Sequence, residues 1–281
     1  MTPVGSAAGL GLLSAISWGG SDFAGGVGAR RAPALLITAS GQILSLIALL
    51  AVCMVMRLAV PAPTLVFYAA VGGFEGALAL AAFYRALAMG AMGLTAALTG
   101  LLTALLPVLF TLVHDGLPAP LTALGLAAGC VAIWLITSTT SAQGAGTPRA
   151  ALLLGALAGM GFGAQLVLFK LASAGGVLWA LTSARAAGVA ALLLVLIVAP
   201  PSGPWRGFWL TGIVAGAFDT LGNLFYIGAT RLGRLDVAAV ICSLYPAGTI
   251  LLAAVFLHEW PTRRQIAGMV LALAAVALLA V

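Results

Sequence analysis

Two stretches of this chain repeat one pattern: FYRALAMGAMGLTAALTGLLTALLPVLFTLVHDGLPAPLTALG at 83–125 and FYIGATRLGRLDVAAVICSLYPAGTILLAAVFLHEWPTRRQIAG at 225–268. Most shared positions lie 143 residues apart: Gly90, Leu101, Pro118 and Gly125 return as Gly233, Leu244, Pro261 and Gly268. The Phe-Tyr pair returns after 142 residues and the His-acid pair after 144, so single-residue slips separate the copies. A duplicated half-chain of apolar composition is typical of transporters that bind substrate between their halves.

The composition indicates an integral membrane protein. The chain is 63% hydrophobic and 6% charged, with a mean hydropathy of +1.21, whereas soluble domains carry about 25% charged residues. It contains 36 glycines, and membrane helices use small residues to pack closely. The net charge is +6, but the basic residues are scattered or occur in single pairs. This distribution argues against nucleic acid as a partner.

Apolar stretches of about 20 residues predict ten membrane-spanning helices. We place them at 4–27, 33–56, 64–87, 91–113, 119–138, 150–172, 177–199, 205–230, 234–257 and 262–281. The breaks fall at Pro, Gly and Arg, for example at Gly90 and at Gly233. The fold class is therefore predicted to be all-α and polytopic.

A Ser-, Thr- and Gly-rich linker at 139–149 divides the chain into repeats at 1–138 and 150–281. Each repeat holds five predicted helices. Because five is odd, the second repeat must enter the membrane from the opposite side. The sequence thus predicts a 5+5 arrangement of inverted-topology repeats.

The second half contains a series of short motifs: Ala229 to Gly233, Ser243-Leu244-Tyr245-Pro246, His258-Glu259-Trp260-Pro261 and Ala267-Gly268. Together they resemble the EamA-type domain of the drug/metabolite transporter superfamily. Ser17-Trp18-Gly19-Gly20-Ser21 is similar to the Trp-Gly segment that opens this domain, and Phe162-Gly163-Ala164-Gln165 holds the equivalent place in the second half. The resemblance spans the chain as two tandem domains, and it implies a ten-helix carrier that moves small metabolites, often outward, by alternating access.

The first half departs from the family pattern at two places. Family domains often carry proline at the position of Thr103, whereas this half has Pro107. Arg185 fits an arginine often found in the second helix of a domain, and its counterpart in the first half is Gly41 at an offset of 144.

Three acids lie within predicted helices: Asp22, Glu75 and Asp219. A carboxylate at the centre of a spanning helix costs about 2.5–3.5 kcal/mol on insertion scales, so each acid needs a reason to be there. Glu75 and Asp219 lie 144 residues apart, and pseudo-symmetry would bring both towards one cavity. A carboxyl group in the membrane favours its neutral form, so we predict that these three acids couple transport to protons, with Asp219 the first choice.

The substrate-binding candidates are polar and aromatic groups at helical spacing from these acids or at equivalent positions of the repeats. Asp219, Asn223 and Tyr226 share one helix face, as do Trp18 and Asp22. Ser21 aligns with Gln165 at an offset of 144. The predicted set is Trp18, Ser21, Gln165, Asn223, Tyr226 and Tyr245.

The acids also have structural interpretations. Asp219 or Glu75 could form an ion pair with Arg185 or Arg85 between helices. Asp22 could lie near the membrane interface, where its side chain would reach water.

The aromatic and histidine candidates have alternatives of the same kind. Trp18 could belong to an interfacial belt, and Tyr226 and Tyr245 could simply pack between helices. His114 and His258, each followed by an acid, are expected to cap the next helix or to pair with loop arginines.

The sequence contains no nucleophile motif, metal-ligand spacing or phosphate loop, so we expect neither an enzyme nor a cofactor or metal. The favoured function is secondary-active transport, in the export direction, of a zwitterionic or cationic metabolite such as an amino acid. The alternatives are a multidrug or quaternary-cation exporter and a non-transport membrane protein. The expected partners are a small-molecule substrate, the lipid bilayer and protons as coupling ion. We expect a monomer or weak homodimer in a bacterial plasma membrane.

Overall fold

The computed structural model describes residues 3–89, 92–137, 149–202, 207–258 and 260–279, and these form helices joined by short turns. The helices are α1 (Pro3–Ala29), α2 (Ala34–Val55), α3 (Pro63–Met89), α4 (Met92–His114), α5 (Pro120–Thr137), α6 (Arg149–Ala172), α7 (Val177–Val198), α8 (Phe208–Leu232), α9 (Leu235–Cys242), α10 (Tyr245–Leu257) and α11 (Arg263–Leu279). No strand occurs in these ranges, which confirms the all-α prediction.

The helix ends lie within three residues of the predicted ones. Among the described residues, six segments are long and apolar enough to cross a membrane, and two further apolar helices are shorter. The chain is therefore a multi-pass membrane protein. Gly90, Glu259 and residues 139–148 of the predicted linker lie outside the described residues, while Arg149 begins α6.

One predicted helix is divided in two. The sequence predicts a continuous helix over 234–257, but the structure ends α9 at Cys242 and begins α10 at Tyr245. Pro246 stands in the first turn of α10. Proline lacks an N–H group and its ring collides with the carbonyl group four residues earlier, here that of Cys242, so it kinks or breaks a helix, and at this position the helix is broken. The break lies near the middle of this membrane segment.

The most extensive helix contacts join a helix of one half of the chain to a helix of the other half. In one set α1 packs on α8, α2 on α8, and α1 on α9 and α10. In the matching set α6 packs on α3, α7 on α3, and α6 on α4. The helices α5 and α11, which close the two halves, pack against each other.

Glycines allow the closest of these crossings. A Cβ atom on Gly41 of α2 would lie 2.6 Å from the carbonyl oxygen of Gly212 and 2.8 Å from Cα of Gly216 in α8. The matching crossing brings Gly73 of α3 against the backbone of Ala184 in α7. Gly41 and Ala184 lie 143 residues apart, as do Gly73 and Gly216. Equivalent positions thus make equivalent contacts.

His114 is the last residue of α4 and His258 follows the last residue of α10, and the described residues show no hydrogen bond from either side chain to the next helix. The alternative pairing with loop arginines stays a prediction. His114 stacks on Phe110, with ring centroids 4.0 Å apart, and its Nδ1 lies 3.0 Å from the Phe110 carbonyl oxygen. His258 ends α10 in the left-handed conformation, with φ of 58°. Thr262 and Gln265 instead cap α11 by reciprocal hydrogen bonds of 2.8 and 3.3 Å.

We predict that Gly41→Ala lowers the melting temperature of the purified protein. The added methyl group would overlap the α8 backbone, and overpacking of this kind costs about 1–3 kcal/mol. Thermal unfolding in detergent measures the effect. Gly9→Ala is the matched control, because a Cβ atom there meets nothing within 4 Å. Equal melting temperatures for the two variants would contradict the close crossing.

Candidate functional site

A small cavity lies at the centre of the bundle, at mid-height of the helices that surround it. Its volume is about 40 Å³, enough for one water molecule of about 30 Å³. Both halves of the chain contribute to its wall. The lining residues are Trp18, Asp22, Leu80, Thr103, Phe162, Gln165, Leu166, Asp219, Asn223 and Tyr245.

A buried ion pair borders this cavity. The Arg185 guanidinium in α7 donates to Oδ2 of Asp219 in α8 across 2.5 Å, and both side chains are almost fully buried. Asn223, one turn further along α8, donates to the other Asp219 oxygen across 3.0 Å. Asp219 is therefore bonded on both oxygens, and the structural alternative raised by the sequence is the one that the structure shows.

Asp22 is in a different situation. Asp22 is 5% exposed, and it lines the same cavity as Asp219. Its Oδ2 has no hydrogen-bond partner among the described residues, and the same holds for Oδ1 of Asn223. A buried acceptor without a partner costs about 1–3 kcal/mol, and more when it carries a charge. Two of the residues that line the cavity thus carry an unpaired buried acceptor, which suits a neighbouring group that donates hydrogen bonds.

Aromatic rings form the other part of the wall. Trp18 stands edge-on to Tyr245, with centroids 6.5 Å apart, and lies 5.9 Å from the ring of Tyr226. Phe83 does not line the cavity itself, but it packs edge-on against the lining residues Phe162 and Tyr245. The indole is seated on Gly222, where a Cβ atom would lie 2.6 Å from its Nε1. Faces of such rings attract cations.

The opposite side of the cavity is neutral. Gln165 in α6 donates from its Nε2 to the Gly72 carbonyl oxygen across 3.0 Å. The absence of a side chain at Gly76 makes room for the Gln165 amide. Gln165 and Gly76 are the residues 143 positions from Asp22 and Asp219. Of these two equivalent pairs of positions, one therefore carries two acids, Asp22 and Asp219. The other carries an amide and a glycine, Gln165 and Gly76.

The structure brings six of the nine predicted site residues to the cavity and leaves three outside it. Trp18, Asp22, Gln165, Asp219, Asn223 and Tyr245 line it. Ser21 instead bonds Tyr84 and the Ala215 carbonyl group, and Tyr226 donates to the Leu166 carbonyl group across 2.9 Å. Glu75 is half-buried, one Oε atom lacks a partner, and it does not face the cavity.

Two of the displaced residues, Ser21 and Glu75, share one cause. The predicted equivalences Ser21 with Gln165, Glu75 with Asp219, and Gly41 with Arg185 all use an offset of 144. The helix contacts follow 143 instead, so the equivalents are Asp22, Gly76 and Gln42. A slip of one residue turns a helical side chain by about 100°. The three predicted equivalences are therefore wrong by one residue: Gln165 corresponds to Asp22, Asp219 to Gly76, and Arg185 to Gln42.

Sequence reasoning missed Thr103 and Phe162 as cavity residues. Phe162 is three residues before Gln165 and shares its helix face. Thr103 continues a series with Thr95 and Thr99 at intervals of four. Its hydroxyl donates to the Thr99 carbonyl oxygen across 2.8 Å, and Thr99 donates to Gly155 of α6 across 2.9 Å. The four-residue spacing of these threonines, which places them on one helix face, is the sequence signal that could have identified Thr103. In the described ranges no group of three His, Cys, Asp or Glu could hold a metal ion.

Comparison with known proteins agrees with the resemblance in the sequence. Residues 149–281 match the model of the EamA-like transporter family. A solved crystal structure of a protein is similar over 97% of this chain and 96% of its own, with a TM-score of 0.74 and 18% identity. At that identity the likeness concerns the fold, and it includes the first half. No curated protein matches the sequence. The second half of this chain is thus similar to the EamA-like transporter family, which is consistent with the drug/metabolite transporter superfamily.

We predict that Asp219→Asn destabilises the protein, because it leaves the Arg185 guanidinium buried without a counter-charge. Removing one partner of a buried pair costs about 3–5 kcal/mol, whereas replacing both costs less. The melting temperature in detergent should therefore fall further in Asp219→Asn than in the double variant with Arg185→Gln. Asp115→Asn, which removes an exposed acid, is the control. A wild-type melting temperature for Asp219→Asn would refute the structural role of the pair.

Proposed function

We propose that this chain is a secondary-active transporter that exports a small zwitterionic or cationic metabolite, such as an amino acid, by alternating access. The transporter class is supported by the EamA-like domain at 149–281. The observation that carries the substrate class is the unpaired Asp22 carboxylate, which lines a central cavity beside aromatic rings.

The charge of the cavity wall favours a positive group on the substrate. When both are deprotonated, Asp22 and Asp219 supply two negative charges, and Arg185 neutralises one of them. An ammonium group has three N–H donors and one positive charge. It matches the remaining carboxylate and the free Oδ1 of Asn223. Trp18 and Tyr245 would add cation–π attraction.

The proposal includes five-plus-five inverted repeats with the site between them. The reciprocal packing of α1 on α8 and of α6 on α3 supports a two-fold relation. Contacts between helix ends support alternating directions: the Lys170 amine near the end of α6 bonds the Thr230 carbonyl near the end of α8, and Trp179 near the start of α7 bonds Leu58 after α2. In this arrangement α1 and α6 cross in opposite directions.

The size of the cavity supports alternating access. A volume of about 40 Å³ is far below the roughly 300–1,000 Å³ of ligand pockets, so in this proposal the helices around it separate before a substrate enters. A state closed around the site is an expected step of a carrier that opens to one side at a time.

Within this proposal Asp22 is the better candidate for proton coupling. The sequence favours Asp219, but both oxygens of that carboxylate are already bonded. Asp22 can exchange a proton for the substrate's positive group without breaking an ion pair. Glu75 lies outside the cavity, and a coupling role for it requires a separate proton path.

The aromatic wall also favours a second candidate, a quaternary-cation exporter. Such substrates lack N–H donors and bind mainly through ring faces. They would leave the acceptor of Asn223 unsatisfied. This difference separates the two candidates: uptake assays with amino acids and with quaternary ammonium compounds should show which group the cavity accepts.

We predict that Asp22→Asn abolishes proton-driven accumulation while the folded yield remains normal. The assay is uptake of a panel of labelled amino acids and cations into everted vesicles, with and without a proton gradient. Asp115→Asn is the control, because that acid is exposed in the turn after α4. Asp219→Asn and Glu75→Gln complete the series. Normal gradient-dependent uptake by Asp22→Asn would end the proposal that Asp22 carries the coupling.

We further predict that dicarboxylates and phosphorylated sugars are not substrates. A carrier of such dianions needs several convergent bases, and the lining described here contains acids instead. Competition by each compound class against a transported substrate tests this. Competition by a dicarboxylate, but by no amine, would contradict the assignment.

A further inference from the structure

A second cavity lies at one end of the bundle, away from the central site. Its volume is about 640 Å³, and it lies between the α1–α2 turn, the second half of α3 and the end of α7. Ala81, Ala82 and Arg85 of α3 line it, whereas Leu80 of the same helix lines the central cavity. Successive residues of a helix differ by about 100° in direction. The two cavities thus lie against different faces of α3.

Three arginines give this end cavity its charge. Arg30, Arg31 and Arg85 all line it, and each is exposed. Its described lining contains no acid, and neither of the two ion pairs among the described residues involves these arginines. The α2 helix begins in the same cavity at Pro33 to Leu35, and the start of a helix carries a partial positive charge. The cavity therefore favours an anion.

The surface next to the arginines is apolar. Leu35, Leu78 and Leu196 are partly buried and pack on a small cluster formed by Ala39, Ala77 and Leu192. Leu78 and Arg85 are seven residues apart and share one face of α3. At the end of α7, between the lining residues Val195 and Pro200, Ile197 and Val198 are 78% and 75% exposed. A charged end followed by an apolar wall has the layout of a phospholipid.

We propose that this end cavity binds the headgroup of an anionic phospholipid. The phosphate group is held by Arg30, Arg31 and Arg85, and the acyl chains lie along Leu35, Leu78 and Leu196. Guanidinium groups bind phosphate oxygens in pairs, and basic pockets between membrane helices are suited to anionic headgroups. The end cavity shares no lining residue with the central cavity, so lipid binding there is independent of the transported substrate.

Free phosphate shares the headgroup's chemistry, so the test has to separate the two sources. The full chain is purified in detergent, and its melting temperature is recorded while dioleoyl phosphatidylglycerol, dioleoyl phosphatidylcholine or inorganic phosphate is added. We expect a saturable rise with phosphatidylglycerol and none with the other two. A rise with inorganic phosphate alone, or an equal rise with both lipids, would overturn the proposal.

Replacing the three arginines tests the location. In Arg30→Gln/Arg31→Gln/Arg85→Gln we expect the half-saturating concentration of phosphatidylglycerol to rise about 100-fold, since each basic residue near an anionic headgroup contributes about fivefold. The control is Arg231→Gln/Arg263→Gln/Arg264→Gln, which removes the same charge from exposed positions outside the cavity and should bind as the wild type does. Equal losses in the two triple variants would refute the site.

A single variant keeps the test valid if the triple variant does not fold. Native mass spectrometry counts the phosphatidylglycerol molecules retained by the wild type, Arg85→Gln and Arg264→Gln. We expect one fewer retained lipid in Arg85→Gln alone. Identical counts in all three proteins would overturn the assignment.

Discussion

The structure depends on how closely its helix backbones approach one another. Between helices in a membrane, the hydrophobic effect provides little attraction because lipid is as apolar as the side chains, so packing contacts must hold the bundle together. Gly41 against Gly216, and Gly73 against Ala184, bring the backbones of the two halves into direct contact. These crossings fix the register of α2 on α8 and of α3 on α7. They thereby fix which side chains of α3 and α8 meet at the centre.

Within that register the two halves of the site are related in position but not in chemistry. Asp22, Asp219 and Arg185 occupy positions equivalent to those of Gln165, Gly76 and Gln42, each in the opposite half of the chain. Duplication supplied two equivalent sets of positions, and only one of them carries charge. A ligand in the central cavity therefore meets different environments at its two ends. In the proposed function, this asymmetry would orient a substrate by its positively charged group.

Hydropathy and Pro/Gly punctuation were enough to predict the helices, because membrane length and backbone satisfaction leave few alternatives. The direction of each side chain was harder. Single-residue slips in the repeat left a choice between offsets of 143 and 144, and only the contacts at Gly41 and Gly73 decide it. The Arg185–Asp219 pair was one of several possible pairings in the sequence. The break before Pro246 was missed since apolar composition continues through it.

The position of this proline has a mechanical consequence. In the second half, Pro246 separates α9 from α10; in the first half, the nearest proline is Pro107, four residues beyond the equivalent Thr103, and α4 continues through it. Four residues of helix span about 6 Å. The weakest points of the two halves thus lie at different depths and differ in stiffness. In the proposed alternating-access cycle, bending that opens one face of the bundle would not mirror bending that opens the other, so the two faces would have unequal elastic costs of opening.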